Sequence, residues 1–263
     1  NIMPHKVKIG LIGCGSISRA YFAGCKRYDI LEVVACADLD FERAKQVAKT
    51  NGVRGCTVDE LLADPEVEIV INLTIPQAHA PVNERILQAG KHAYVEKPFA
   101  LDAKEARRVI ALAKRKNLLI GGAPDTFLGG GIQTSRQLLD DGLIGKPVAG
   151  TAFMMCPGHE SWHPSPEFYY KLGGGPMFDM GPYYITALVN LLGPVARVSG
   201  CTQASFKHRT ITSKPLYGKR VKVEVPTHYS GTLEFANGAI VTMIMSFDII
   251  RGPAQPPITL YGN

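Results

Sequence analysis

The chain has 263 residues, 46% of them hydrophobic and 20% charged, an ordinary globular balance with length for one large domain or two modest ones. The net charge of +6 is moderate, and its denser stretch, Lys207 to Lys222, has Tyr217 as its one aromatic, so it reads as a solvated loop or sheet edge and argues against a nucleic-acid surface. No apolar run approaches the roughly 20 residues that cross a bilayer, no signal peptide opens the chain, and the six cysteines lack Cys-x-x-Cys spacing, which predicts a cytoplasmic protein with reduced thiols, no membrane contact and no metal site.

Asn1 and Ile2 precede Met3 and read as a remnant of expression. Val7 to Ile12 is a short apolar strand that runs into Gly13-Cys14-Gly15-Ser16-Ile17-Ser18 and then a helical pattern through Cys25. Strand, glycine loop and helix in that order suit a dinucleotide. Gly13 permits the tight turn, Gly15 lets the backbone approach a pyrophosphate, and the helix start at Ser16 and Ile17 offers free N–H groups to the anion. Ser18 stands where a third glycine often sits, which predicts looser helix–strand packing. Glu32 to Ala37 gives the second strand, closed by Asp38. A carboxylate there takes both ribose hydroxyls of NAD and repels a 2′-phosphate; the competing reading makes Asp38 only the cap of a helix from Phe41 to Lys49. Arg43, one turn into that helix, weakens the discrimination and keeps NADP possible.

Thr57-Val58-Asp59-Glu60 has the pattern of a capping box. Val67 to Leu73 suits a central parallel strand buried on both faces. It ends at Thr74-Ile75-Pro76-Gln77-Ala78-His79, and a helix follows through Gln88, stopped by Gly90. His92 to Val95 is the next strand, and Glu96-Lys97-Pro98-Phe99 follows at once. Open α/β sheets bind ligands just beyond the carboxyl ends of their strands, so Lys97, its backbone restricted by Pro98, is a candidate for chemistry. Asp102 caps an amphipathic helix with Glu105 completing the cap and Ala103, Ala106, Ile110 and Ala113 on one face. Leu118 to Gly122 is a further strand. The β-α alternation with short links predicts a Rossmann-type, doubly wound parallel sheet over residues 1–122.

Residues 123–263 read as a second α/β domain with an open, mainly antiparallel sheet. A helix runs from about Leu128 to Asp141 and a strand from Val148 to Met155. Between Pro157 and Pro166 lies a loop with His159, Glu160, Trp162 (the single tryptophan) and His163, whose aromatic and polar character suits a carbohydrate. Gly173-Gly174-Gly175 precedes a helix from Pro176 to Leu192, on which Asp179 and Tyr183, four residues apart, share a face. The competing reading is a buried tyrosine with Asp179 as a cap. Gly231 to Phe235 and Ala239 to Phe247 flank Asn237-Gly238, a hairpin signal. Both alternating sets of the second strand are largely apolar, which predicts a helix on one face and a partner subunit on the other, as in a homodimer or homotetramer. The chain stops at a strand and turn signal, Ile258 to Asn263, and a further C-terminal portion is expected.

Gly13-x-Gly15-x-x-Ser18, Asp38, Thr74-Ile75-Pro76 with His79, Glu96-Lys97-Pro98 and Gly173-Gly174-Gly175-x-x-x-Asp179-x-Gly181 together resemble the Gfo/Idh/MocA family, oxidoreductases of the glucose–fructose oxidoreductase and inositol dehydrogenase type, over essentially the whole chain. Glu-Lys-Pro is the most specific of these motifs and the glycine loop the least. The resemblance implies an NAD(P)-binding domain in which Thr74, Pro76, His79, Glu96 and Lys97 join the glycine loop and Asp38 around the cofactor. It also implies a hydride moving between nicotinamide and a carbon of a sugar, polyol or related hydroxy compound, with Lys97 and Asp179 beside the reacting hydroxyl. Two departures stand out. Relatives often carry histidine where this chain has Tyr183, and the segment at Asp125 replaces one with Asn and Arg.

The mechanism expected from these residues has Lys97 polarising the hydroxyl, Tyr183 relaying its proton and Asp179 holding Lys97 or a substrate hydroxyl, with His163 as the other candidate base. Asp125, Trp162 and His163 are expected to touch substrate. Three alternatives stay open: a glycosidase that oxidises its sugar transiently with NAD, a non-catalytic dinucleotide-sensing regulator, and a dinucleotide enzyme acting on an imine or amino acid.

Overall fold

The structure is a computed structural model and describes residues 5–250 and 255–263; Asn1 to Met3, with the expected expression remnant, lie outside the described residues. The chain divides into two compact units, 1–123 and 124–263.

In the N-terminal unit, elements follow in the order β1 (Val7–Ile12), α1 (Ser18–Cys25), β2 (Leu31–Ala37), α2 (Phe41–Asn51), β3 (Arg54–Cys56), α3 (Val58–Ala63), β4 (Ile69–Asn72), α4 (Pro76–Gln88), β5 (His92–Val95), α5 (Ala103–Arg115) and β6 (Ile120–Gly122). The six strands pair in the order β3-β2-β1-β4-β5-β6, all parallel. Val70 and Ile71, neighbours in β4, belong to two different buried clusters, one on each side of the sheet. A strand apolar at every position is what a sheet covered on both faces requires. The three-residue β3 carries no pattern long enough to be read as a strand.

Helix ends follow the local chemistry. Thr57 and Glu60 close a reciprocal capping box on α3, a device of the kind worth about 1 kcal/mol. Asp102 caps α5 by accepting from Glu105 N–H at 2.8 Å. The buried face of α5 is Val109, Leu112 and Ala113, while Ala103 and Ile110 are exposed. The buried face is therefore rotated from the predicted one, with Val109, Leu112 and Ala113 joining Ile86 and Leu87 of α4 in one buried cluster.

The C-terminal unit contains a 3₁₀ turn (Thr126–Leu128), α6 (Gly130–Asp140), β7 (Pro147–Met155), a second 3₁₀ turn (Pro166–Tyr170), α7 (Gly175–Asp179), α8 (Gly181–Leu192), β8 (Val195–Gln203), β9 (His208–Thr210), β10 (Arg220–Lys222), β11 (His228–Phe235), β12 (Ile240–Ser246) and β13 (Ile258–Gly262). Its main sheet runs β13-β7-β12-β11-β8, with β7 and β12 parallel and the other pairs antiparallel. The Asn237-Gly238 turn joins β11 to β12, with Gly238 at φ +94°. Leu188, Leu191 and Leu192 of α8 share a core with Val241, Met243 and Met245 of β12. The opposite face is mixed: Ile240 is 50% exposed, Arg197 forks onto Glu234 at 2.9 and 2.7 Å, and Ser199 meets Thr232 at 2.8 Å.

The helix predicted from Pro176 to Leu192 is two helices. Pro182 has no N–H to donate, and the chain breaks at Met180 before α8 begins. Asp179 thus ends one helix and Tyr183 lies in the first turn of the next, so their four-residue spacing is not that of a single regular helix.

Candidate functional site

The carboxyl ends of β1, β2, β4 and β5 carry the N-terminal candidates. Gly13 has φ +104°, and a Cβ there would stand 2.6 Å from the Leu73 carbonyl oxygen, so the turn admits only glycine. At Gly15 a Cβ would meet nothing within 4 Å. The protein's own packing gives no reason for glycine there, whereas close approach of a ligand to the backbone does. Ser16 and Ile17 follow, both exposed, and α1 opens at Ile17 with no side-chain cap. The Ser18 and Ala20 amides close the first turn onto Gly15 O and Ile17 O at 3.1 and 3.0 Å, so the amides ahead of them, at Ser16 and Ile17, are the ones placed for an anion. Ser18 is 2% exposed and its hydroxyl donates to Gly15 O at 2.7 Å, so the looser packing expected at this position is replaced by a tight polar turn.

Asp38 accepts from the Cys14 N–H at 2.7 Å and from the Asp40 N–H at 2.9 Å, with Arg43 3.6 Å away. The cap of α2 is Asp40, which accepts from the Arg43 N–H at 3.1 Å, so capping is not the work of Asp38. Asp38 ties the end of β2 to the glycine loop, and a carboxylate with two amide donors retains lone pairs for a ribose hydroxyl. The glycine turn, the uncapped helix start and this carboxylate fit a dinucleotide, with Gly13 to Ile17 at the pyrophosphate and Asp38 at a ribose.

The loops after β4 and β5 are fastened to each other. Asn72 Oδ1 accepts from the Thr74 N–H and hydroxyl at 3.2 and 2.7 Å, and Pro76 is the first residue of α4. His79 is 1% exposed, with Nε2 2.9 Å from Thr74 O and Nδ1 2.6 Å from Pro98 O. Its ring is spent on the two loops, so the structure places His79 behind the strand ends that carry the other cofactor candidates. Glu96 accepts from the Tyr21 hydroxyl of α1 at 2.8 Å and from the Lys97 N–H at 3.0 Å. The acid of Glu-Lys-Pro therefore links the glycine-loop helix to the backbone that carries Lys97.

In the C-terminal unit, the partner of Asp179 is a residue that spacing does not suggest. His159 Nε2 donates to Asp179 Oδ2 at 3.0 Å, across 20 residues of sequence. Both side chains are nearly buried, at 12% and 13% exposure. His159 is enclosed edge-on by Trp162, Tyr169 and Phe247, at centroid distances of 5.2, 4.1 and 4.6 Å. With Nε2 turned to Asp179, Nδ1 is the nitrogen left to exchange a proton, and it makes no hydrogen bond among the described residues. A histidine oriented by a carboxylate through one nitrogen, with the other left uncommitted, has the arrangement of a general base. The only sequence signal for it was its place in the same proline-rich loop as His163.

His163 has the opposite arrangement. Its Nδ1 accepts from the Ser165 N–H at 3.0 Å, so Nε2 carries the proton, and burial pushes its pKa below the ordinary histidine value. It can donate to a hydroxyl, but its basic nitrogen is engaged, which counts against its role as the base. Trp162 is 61% exposed, with its ring against His159 and His163. Phe168 is 44% exposed, and the Tyr169 phenol is held above its ordinary pKa by burial. Tyr183 and Asp125 line one cleft of about 490 Å³ together with Thr126, Met180 and Tyr184. The structure thus brings Asp179 to His159, and Tyr183 to Asp125.

Among the described residues no three His, Cys, Asp or Glu side chains are arranged to hold a metal ion, and no helix is long and apolar enough to cross a membrane.

The family model described as an oxidoreductase family with NAD-binding Rossmann fold matches residues 7–122, and the Gfo/Idh/MocA C-terminal domain matches residues 132–263. The chain is 30% identical to a dTDP-3,4-didehydro-2,6-dideoxy-alpha-D-glucose 3-reductase of Streptomyces violaceoruber over 87% of its length and 66% of the relative's. It is also 30% identical to a 1,5-anhydro-D-fructose reductase of Ensifer adhaerens, over 65% of this chain and 52% of that one. It therefore spans about half to two thirds of these curated relatives. The crystal structure of an NAD binding oxidoreductase from Klebsiella pneumoniae superposes with a TM-score of 0.85 at 22% identity, covering 98% of this chain and 71% of that one, which shows the fold. The chain belongs to the Gfo/Idh/MocA oxidoreductase family, and its N-terminal unit is that family's NAD-binding Rossmann domain.

Proposed function

We propose that the protein is an NAD-dependent dehydrogenase or reductase that moves a hydride between nicotinamide and a carbon of a sugar, polyol or related hydroxy compound. The observation that carries the reading is the His159–Asp179 pair at 3.0 Å, a base with its orienting carboxylate set among aromatic rings of which Trp162 is exposed. Exposed Trp162 offers a ring face to the apolar side of a sugar, and His163 a donor to its hydroxyls. Two relatives of 30% identity are named as sugar reductases, which agrees with that substrate class.

NAD, when bound, accepts or supplies the hydride; every other step falls to the chain. Gly13, Gly15, Ser16 and Ile17 would hold its pyrophosphate, and Asp38 its ribose hydroxyls, favouring NAD over NADP. Thr74, Pro76 and Glu96 border the same strand ends, with His79 behind them. Lys97 polarises the reacting hydroxyl as a fixed cation. His159 takes the hydroxyl proton at Nδ1 in the oxidative direction and returns it in the reductive one, while Asp179 accepts from Nε2–H and steadies the imidazolium that forms.

A second reading places proton transfer on Tyr183, favoured by the cleft it shares with Asp125. We assign the open face of the C-terminal sheet to a homo-oligomer, which light scattering tests, and the six free thiols suit a reducing, cytoplasmic setting.

The test is a panel of sugars and polyols with NAD and NADP, followed by absorbance of the reduced nicotinamide, with His159→Asn and Tyr183→Phe run beside the parent. Turnover lost in His159→Asn and kept in Tyr183→Phe supports the histidine; the reverse supports the tyrosine. Release of an aglycone with no net NADH would replace both by a glycosidase.

A further inference from the structure

Arg209 lies on β9, within the basic stretch Lys207 to Lys222 expected to be solvated, yet it is only 8% exposed. Its guanidinium reaches two separate segments. Nη1 donates to Pro157 O at 2.9 Å and to Glu160 Oε1 at 2.7 Å. Nη2 donates to Phe247 O at 2.7 Å and to the Asp248 carboxylate. Pro157 and Glu160 bracket His159 in sequence, and the Phe247 ring packs on the His159 ring at 4.6 Å. One side chain thus grips both the loop that carries His159 and the strand end that walls it in.

The grip is reinforced around Glu160. Its second carboxylate oxygen accepts from the hydroxyl of Tyr170, a fully buried residue, and that hydroxyl accepts from the His159 N–H at 3.4 Å. The Glu160 carbonyl accepts from the Thr212 and Ser213 amides, both at 2.9 Å, and the Ser213 hydroxyl donates to His163 O at 2.5 Å. Gly158 has φ +95°, and a Cβ there would lie 2.5 Å from both Glu160 Oε2 and Tyr170 Oη. Burial opposes the charge on Arg209, but Glu160, Tyr170 and Asp248 outweigh it and hold its pKa above the ordinary arginine value.

Burying an arginine between two carboxylates is a poor way to gain stability, since desolvation consumes most of the attraction. What such a fork does provide is direction, because its N–H groups leave the plane at fixed angles. We propose that Arg209 is a positioning residue that sets the His159 ring against Asp179 by fixing residues 157–160 and Phe247 together, with Glu160 as its principal partner. This rests on the acid–base role proposed for His159.

The experiment has two arms on Arg209→Lys, Arg209→Ala and Glu160→Gln, each at a temperature where circular dichroism shows the variant folded. In the first, kcat on the best substrate of the panel falls at least tenfold in both Arg209 variants while KM for NAD stays within twofold. Lysine fails to restore kcat because it lacks the fork, and millimolar guanidinium ion restores part of it to Arg209→Ala. Glu160→Gln, which keeps the shape of the partner, loses less. In the second, the nitrogen-15 resonance of the His159 Nε2–H, protected from exchange by its bond to Asp179, broadens or vanishes in the Arg209 variants and survives in Glu160→Gln. Unchanged kcat per folded molecule, or an unaltered His159 resonance in Arg209→Lys and Arg209→Ala, overturns the proposal and leaves Arg209 a stabilising residue only. If the parent protein turns over no sugar or polyol, the proposed activity fails separately, and the His159 resonance alone decides about Arg209. Should both Arg209 variants fail to fold, Glu160→Gln decides on kcat: a reduced kcat with KM for NAD unchanged supports the proposal, and a kcat indistinguishable from the parent's overturns it.

Discussion

The two units assemble their chemistry in different ways. In the N-terminal unit every candidate lies within a few residues of a strand end: Gly13 after β1, Asp38 after β2, Thr74 after β4 and Lys97 after β5. In the C-terminal unit the candidates come from a loop, a helix end, a short strand and the end of a long one: His159, Asp179, Arg209 and Phe247. A parallel sheet delivers the same end of every strand to one edge, so a short motif is already a position in space. A mixed sheet with long loops has no such rule, and its site forms only when distant segments meet.

The sharpest way to break this comparison is to cross the effects. His159→Asn should lower kcat roughly 100- to 10,000-fold, the range for losing a general base, while KM for NAD stays within twofold. Lys97→Ala should lower kcat roughly 100- to 1,000-fold, as for one lost electrostatic contact to the reacting oxygen. Steady-state kinetics of both variants check this. Equal losses in kcat and in NAD affinity would mean that the division between a cofactor unit and a substrate unit is wrong.

Asp38→Ala acts on the cofactor side alone. It removes a charged acceptor from the Cys14 amide and, on the proposed reading, from a ribose hydroxyl, and such bonds are worth about 1.5–3 kcal/mol each. KM for NAD should rise at least roughly tenfold, and the ratio of NADP to NAD efficiency should rise with it once the repulsion on a 2′-phosphate is gone. An unchanged ratio would leave Asp38 only its structural bond to the glycine loop.

Gly13→Ala sharpens the same side at smaller cost. The φ of +104° and the Leu73 carbonyl 2.6 Å from the new Cβ predict a loss of about 1–3 kcal/mol in the N-terminal unit. Thermal unfolding followed by circular dichroism measures it. Gly15→Ala, which meets nothing within 4 Å, should leave unfolding unchanged and weaken NAD alone. That contrast separates a glycine required by the turn from one required by the ligand.

The same contrast explains what could be read in the sequence. The strands of the Rossmann unit are legible because their buried positions are apolar and the turns that follow them carry Gly13, Asp38, Thr74 and Glu96-Lys97. The exception, β3, has three residues and no period. The spacing of Asp179 and Tyr183 reads as one helix with Pro182 disturbing its first turn; the chain instead ends one helix at Asp179 and starts the next at Gly181. His159 and Arg209 were illegible for a different reason. They are 20 and 30 residues from Asp179, and nothing local marks them as its neighbours until the loop, β9 and the end of β12 are packed together.

The smallest expected effect tests whether that packed loop holds His163 neutral. Burial lowers its pKa, and the Ser165 N–H on Nδ1 is a bond that only the unprotonated nitrogen can accept. A histidine whose folded pKa lies below its unfolded value of about 6.5 binds fewer protons folded than unfolded between those two values. The unfolding free energy therefore rises with pH across that window. The stabilisation is fully present above about pH 6.5 and is lost as pH falls through the folded pKa. Chemical denaturation at a series of pH values should show this slope, shallower in His163→Gln, whose side chain accepts from the Ser165 amide without titrating. Because the loop also carries His159, the slope should appear in the C-terminal unit, and tryptophan fluorescence reports there alone, since Trp162 is the single tryptophan. An identical slope in His163→Gln would place the titration on another group and leave His163 exchanging freely with solvent, in which case the loop is not the rigid wall that positioning His159 requires.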